Sequence, residues 1–279
     1  MVSVYEREFE FSRSDFEHIR DLVGERTGIV LSDHKIDMVY GRLSRRLRQL
    51  GIQKFAEYLR RLEDDDSELV EFTNALTTNL TSFFREPHHF DFLKSTGLPA
   101  LLKNRPNKKL RIWSAGCSTG EEPYTIAMTV KEALASYGNW DVKILATDLD
   151  TNVVNRAKAG VYTLEKVNGV DKTRLQKWFR KGRGQDHAGQ MKVSQDLQDM
   201  ITFKQLNLMH DWPMAGPFDI IFCRNVVIYF NKETQRELFD RYADYMANDG
   251  YLFVGHSESL HKVTERFKLI GKTIYHKAG

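Results

Sequence analysis

Three short segments carry residues whose types and spacing could do chemistry. They are Ser114-Ala-Gly-Cys-Ser-Thr-Gly-Glu-Glu-Pro123, the Asp148 that follows Val142-Lys-Ile-Leu-Ala-Thr147, and Cys223-Arg224-Asn225. The first is a loop of small residues, the kind that lets backbone N–H groups come close to a ligand beyond a strand end. It is not the GxGxxG of a dinucleotide loop. Glu121 and Glu122 follow it, where a pyrophosphate would want a helix N-terminus free of negative charge. Acids there repel a diphosphate and tolerate a cation. That favours S-adenosylmethionine (SAM), which has a sulfonium and no phosphate, over NAD or FAD. The same two acids also suit a helix dipole, and the loop taken alone reads equally as a tight turn. A carboxylate at Asp148 could accept hydrogen bonds from ribose hydroxyls.

A fourth segment, Thr77-Thr-Asn-Leu-Thr-Ser-Phe-Phe-Arg85-Glu-Pro87, sets three Thr, an Asn and an Arg beside paired aromatics. By composition it reads as a capped helix end with an aromatic anchor. His88, His89 and His256 make no closed metal-ligand set with Cys or Asp and read as structural. Two cysteines, Cys117 and Cys223, are too few for a disulfide scaffold and point to a reducing compartment.

The elements that must hold these segments are legible from periodicity. Phe16, Ile19, Leu22 and Val23 share one helical face; Val39, Leu43, Leu47 and Leu50 share another, with Gly51 as a stop; Phe55, Tyr58, Leu59 and Leu62 share a third. After Lys103–Lys109 the texture changes. Strands are expected at Leu110–Ser114, Val142–Thr147, Ile201–Gln205, Phe218–Cys223, Tyr251–Val254 and near Thr273–Tyr275. Helices are expected at about 122–137, 151–159 and 232–246. Strands alternating with helices indicate a parallel sheet covered on both faces. The stretch between Gly160 and Met200 is too long for a simple connection and reads as a small antiparallel insert.

The chain has 279 residues, with 41 Lys and Arg against 38 Asp and Glu, a net charge of +3. At 41% hydrophobic and 28% charged it is an ordinary globular composition, neither disordered nor membrane-spanning. The N-terminal MVSVYEREFEF carries charge where an export signal needs an apolar run. The near-zero net charge hides a basic block. Between Lys35 and Arg61 eight bases face two acids, followed by the acidic Glu63-Asp-Asp-Asp-Ser-Glu68.

Asn79-Leu-Thr-Ser-Phe-Phe-Arg85, Trp113-Ser-Ala-Gly-Cys-Ser-Thr-Gly-Glu-Glu-Pro-Tyr124, Ala146-Thr-Asp-Leu-Asp150 and Phe222-Cys-Arg-Asn-Val-Val-Ile-Tyr-Phe230 occur in order, with Gly255-His-Ser-Glu258 near the end. Together they closely resemble the CheR-type chemotaxis receptor methyltransferases, from about Phe11 to Tyr275. The resemblance implies SAM-dependent methylation of glutamate side chains on the cytoplasmic helices of chemoreceptors, giving methyl esters for sensory adaptation, in a cytoplasmic monomer. It implies a helical N-terminal domain over 1–90 and a Rossmann-like α/β domain over 91–279, with a β-subdomain inserted at about 165–200. It assigns Asn79, Thr81, Arg85, Glu122, Asp148, Asn207, Leu208, Arg224 and Asn225 to the cofactor, and sets Arg85 and Tyr229 nearest the transferred methyl group. The product is S-adenosylhomocysteine (SAH); no metal and no nucleic acid is implied.

A glutamate has a reference pKa of about 4.3 and is ionised at neutral pH, so methyl transfer to it needs no general base. A guanidinium can grip that carboxylate bidentately, the role expected of Arg85. Arg42, Arg45, Arg46 and Arg48 would dock the acidic receptor helix, against the alternative of a solvated amphipathic face. Some members of the family also add a receptor C-terminal peptide as an edge strand on the β-subdomain. The sequence leaves that open for this chain.

Overall fold

The computed structural model describes residues 7–278, the Asp186 side chain apart, so most of the N-terminal stretch read for an export signal lies outside the described residues. The chain divides into two compact units. One comprises Met1–Thr78 with Tyr229–Asn231, the other Asn79–Ile228 with Lys232–Gly279.

In the first unit, α1 (Arg13–Thr27) starts from a capping box. Ser12 Oγ accepts the Asp15 N–H, and the Asp15 carboxylate accepts the Ser12 N–H. It ends on Gly28 in the left-handed region. Helices α2 (Ile36–Leu50) and α3 (Phe55–Asp64) follow, and Gly51 closes α2 as its position predicts. Helix α4 (Asp66–Leu76) is an addition to the sequence reading, where Glu63–Glu68 stood out only as charge. Its N-cap is Asp65, which accepts the Glu68 N–H at 3.1 Å. The predicted stripes meet in one core of Phe16, Ile19, Val39, Leu43, Leu47, Phe55, Tyr58 and Leu62, and α4 adds Phe72 and Leu76.

The second unit opens with α5 (His88–Phe92), a π-helical turn at Leu93–Gly97, and α6 (Leu98–Lys103). Then β1 (Lys109–Ala115), α7 (Glu121–Leu134), β2 (Asp141–Asp148) and α8 (Thr151–Ala159) alternate strand with helix. The insert supplies β3 (Val161–Thr163), α9 (Leu164–Val167), α10 (Lys172–Trp178), β4 (Phe179–Lys181), β5 (Gln190–Val193) and α11 (Gln195–Gln198). The chain returns through β6 (Ile201–Gln205), β7 (Phe218–Cys223), α12 (Lys232–Asp244), β8 (Met246–Val254), β9 (Phe267–Gly271) and β10 (Ile274–Lys277).

The main sheet runs β6-β2-β1-β7-β8-β10-β9. The first five strands are parallel, and β10 is antiparallel to both β8 and β9. The fold is therefore α/β, with the expected all-parallel sheet corrected to a mixed one. A hairpin needs no crossover helix, which lets the chain end on an antiparallel edge. Successive side chains of β1 point to opposite faces. Ile112 joins the core that holds Ile126 and Val130 of α7, while Trp113 packs edge-on against Tyr242 of α12 at 5.3 Å. Both faces are covered, as a buried strand requires. The insert is a separate antiparallel sheet, ordered β3-β5-β4, and it begins at Val161, ahead of the expected 165.

Candidate functional site

The carboxyl ends of β1, β2 and β7 lie side by side in the sheet, so their following loops converge. The loop after β1 turns at Gly116, with φ 102°. A Cβ there would meet Val226 Cγ2 at 2.3 Å, so only glycine fits. Gly120, at φ 96°, begins α7 and lets Glu121 and Glu122 into a buried first turn. Backbone approach and acidity, the two properties read from the sequence, are both present.

Glu122 is the acid that faces the site. Its Oε1 accepts from Ser114 Oγ at 2.8 Å and its Oε2 from Arg224 Nη1 at 3.0 Å. Burial pushes its carboxyl up, against the lowering effect of Arg224 and Ser114. Arg224, 6% exposed, also donates to the Arg85 carbonyl and stands 3.3 Å from Glu86 Oε2. One guanidinium thus sits between two carboxylates, and its Nε has no partner among the described residues. Asn225 follows in the left-handed region at φ 59°.

Asp148, half-buried at the end of β2, accepts the Ser118 N–H on Oδ2 at 2.8 Å and the Asp150 N–H on Oδ1 at 3.1 Å. A carboxylate has about four lone-pair sites, so each oxygen can still accept a hydroxyl. Burial pushes this carboxyl up to about 6, while the Asp150 and Ser118 N–H groups oppose it.

Within the same unit, Asn79 Nδ2 donates to Asp150 Oδ2 at 2.7 Å, and its carbonyl accepts from Ser118 Oγ at 3.0 Å. Phe83 packs on Tyr162 and Phe179 at ring distances of 4.9 and 5.5 Å, and Arg174 lies over Phe84 at 4.4 Å. The aromatic anchor is real. At and just after the anchors the backbone is strained, with Phe84 at φ 54° and Glu86 at φ 56°. Side chains in that region cost of order 1–3 kcal/mol each and cluster at functional sites. Arg85 Nη1 donates to the Leu80 carbonyl at 2.9 Å. Thr81 is half-buried in the same segment.

The loop after β6 is more self-contained. Asn207 Oδ1 accepts the Met209 N–H at 3.0 Å, and the buried Leu208 gives its carbonyl to Trp212 Nε1 and Arg241 Nη1. Its main-chain tie to the site is the Leu206 N–H on the Asp148 carbonyl at 2.9 Å. Tyr229 belongs to the helical unit, where its carbonyl accepts the Val30 N–H at 2.8 Å and Lys35 Nζ lies 5.3 Å from its ring.

Residues 79–276 match the family described as CheR methyltransferase, SAM binding domain, and residues 14–77 match the CheR methyltransferase all-alpha domain. The chain belongs to the CheR methyltransferase family. It is 44% identical to chemotaxis protein methyltransferase 2 of Pseudomonas aeruginosa, covering 98% of this chain and 96% of that one. It is 45% identical to the chemotaxis protein methyltransferase of Escherichia coli, covering 95% and 91%. The Salmonella typhimurium protein of the same name is 44% identical, covering 95% and 90%.

The residues of this CheR chain fit SAM. Glu86 and Glu122 outnumber Arg224, which leaves negative charge for a sulfonium; Asp148 retains acceptor capacity for a ribose; and Gly116 and Gly120 keep Cβ atoms out of the loop. Sequence reasoning gave no role to Glu86, Ser118, Asp150 or Glu258. The last three stand inside the motifs that carry the resemblance, yet only the bonds they make reveal what they do. Glu86, His88 and His89 bring ligand-type atoms within 4.8 Å of one another. Arg224 already supplies positive charge at Glu86. Burial, with Arg224 and His88 adding to it, lowers the His89 imidazole to about 3. Both histidines turn Nε2 to the Lys272 carbonyl, a structural use.

The four docking arginines separate. Arg46 is bidentate on Glu68, Arg42 Nη1 donates to the carbonyls of Leu76 and Thr77, and Arg48 meets Glu8 at 2.9 Å. Arg45 is exposed and has no partner among the described residues.

Proposed function

We propose that this chain, whose relatives are named chemotaxis protein methyltransferases, methylates glutamate side chains on the cytoplasmic helices of chemoreceptors and acts in the cytoplasm as a monomer. Bound SAM supplies an electrophilic methyl group. The chain's own work is to hold the acceptor in line with it, a contribution that reaches ~7–11 kcal/mol in well-oriented cases.

The observation that carries this reading is Arg85. Its carbonyl is gripped by Arg224 and its Nη1 by Leu80, while Nε and Nη2 have no partner among the described residues. A fixed guanidinium with N–H groups to spare matches a carboxylate acceptor, which it can orient by paired hydrogen bonds. Asn79, Thr81, Arg85, Glu122, Asp148, Asn207, Leu208, Arg224 and Asn225 hold the cofactor. The helical domain docks the receptor through Arg45 first, because Arg42 and Arg46 are committed elsewhere. The inserted sheet, with edge strands β3 and β4, suits a receptor peptide.

Incubation with labelled SAM and receptor-bearing membranes tests the reading. Base-labile methyl ester on a receptor band is expected, and Arg85→Ala should remove it even at SAM concentrations that saturate the variant. Label on another polymer, or full methylation by Arg85→Ala, refutes it.

A further inference from the structure

We infer that the Gly255-His256-Ser257-Glu258 turn after β8 is a brace that sets Arg224 and Asn225 in place, with Glu258 as the positioning residue. The inference rests on the assignment of Arg224 and Asn225 to the cofactor site.

Glu258 is 3% exposed, and its carboxylate is spent on backbone. Oε2 accepts the Asn225 N–H at 2.8 Å and the Gly255 N–H at 2.6 Å; Oε1 accepts those of Val226 at 2.9 Å and Ile228 at 3.3 Å. Three of the four donors lie in the turn that leaves β7 directly after Arg224. That turn contains Asn225 at φ 59°, in the left-handed region that Asn adopts more readily than most L-residues. The carboxylate stabilises the turn by collecting three of its N–H groups on two oxygens. Gly255 is part of the same fit, because a Cβ there would meet Asn225 Nδ2 at 2.5 Å and the Asn225 nitrogen at 2.9 Å.

The turn reaches the other side of Arg224 as well. The His256 N–H donates to Glu86 Oε1 at 3.1 Å, and His256 Nδ1 lies 3.0 Å from the same oxygen. Glu86 Oε2 then faces Arg224 Nη2. Arg224 is thereby followed by a turn that Glu258 holds from Asn225 onward, and its guanidinium faces a carboxylate that His256 orients. With four N–H bonds on two oxygens, Glu258 acts through its neighbours and not on a ligand.

Gln is the discriminating substitution. It keeps the shape of Glu258 but turns an NH2 group toward two N–H donors. The matched control is Asp219→Asn. Asp219 is a buried carboxylate at the opposite end of β7 and accepts from Arg105 Nε and the Arg111 N–H, each at 2.7 Å. SAH affinity is measured by calorimetry on the full chain at a temperature where circular dichroism shows each variant folded. Glu258→Gln should bind SAH roughly tenfold more weakly or worse, the scale of an unsatisfied buried group, and raise KM for SAM while leaving kcat at saturating SAM. Asp219→Asn should lower the melting temperature and leave SAH affinity at the wild-type value. Should Glu258→Gln not fold, Gly255→Ala carries the same expectation through the Asn225 clash. SAH affinity unchanged in Glu258→Gln or Gly255→Ala, with Arg224→Gln weakened, overturns the brace alone. SAH affinity unchanged in Arg224→Gln overturns the cofactor-site assignment, and the brace falls with it.

Discussion

Burial holds the Asp148 carboxyl up at about 6, and the N–H donors of Asp150 and Ser118 only partly offset it. The folded state therefore keeps a proton that an unfolded aspartate, near 3.8, has released. This residue's contribution to stability is complete below 3.8 and is lost as pH rises through about 6. Cofactor binding runs the other way, because ribose hydroxyls are better held by the ionised form. At pH 5 about one Asp148 in eleven is ionised if its pKa is about 6. SAH affinity should accordingly fall roughly tenfold between pH 7.5 and 5, and Asp148→Asn should bind weakly at both and lose the pH dependence. Calorimetric titrations across that range decide it; a wild-type profile that stays flat would remove Asp148 from the ribose. Glu86 shows the opposite sign. Burial would raise its carboxyl, but the His256 hydrogen bonds and Arg224 prevail and hold it low, so its stabilisation is lost on acidification.

Helix α2 shows how an element divides residues that look alike in a string. Arg46 chelates Glu68, which is 2% exposed and also accepts from the Tyr58 hydroxyl at 2.9 Å. Removing one partner of a buried pair costs about 3–5 kcal/mol, since the other charge is left stranded. Arg42 caps the carboxyl end of α4, where unpaired helix carbonyls need donors. Arg45 does neither. Arg46→Ala should lower the urea midpoint of the protein markedly. Arg45→Glu should leave that midpoint in place, slow receptor methylation and weaken its salt dependence. If Arg45→Glu methylates receptor at the wild-type rate, the exposed face of α2 is merely solvated. The helix pattern was legible because its buried face repeats every three to four residues. The partners of its arginines were not, because Glu68 and Glu8 lie far away in sequence.

For the molecule as a whole, a ligand that binds only the folded chain adds stability set by its concentration. SAH at about 100 times its Kd should add about 2.7 kcal/mol and raise the melting temperature by several degrees. A melting curve unmoved by saturating SAH would contradict a folded SAM site in this CheR-family chain. Much of the candidate site was legible in the sequence. The strands β1, β2 and β7, the glycine loop, Asp148 and Arg224 all declare themselves through local signals: apolar runs, small residues and a charge at a strand end. The β9 strand, α4, and the turn of the chain that returns Tyr229 to the helical unit did not, having weak or mixed local patterns. Residue types and spacing by themselves determined the fold class and the preference for a cationic cofactor, and the resemblance of ordered motifs supplied the family. Only tertiary structure decided which charges are spent and which are spare. Burial, strand order and the meeting of residues such as Glu258 and Asn225 are properties of distance in space, and sequence order does not encode that distance directly.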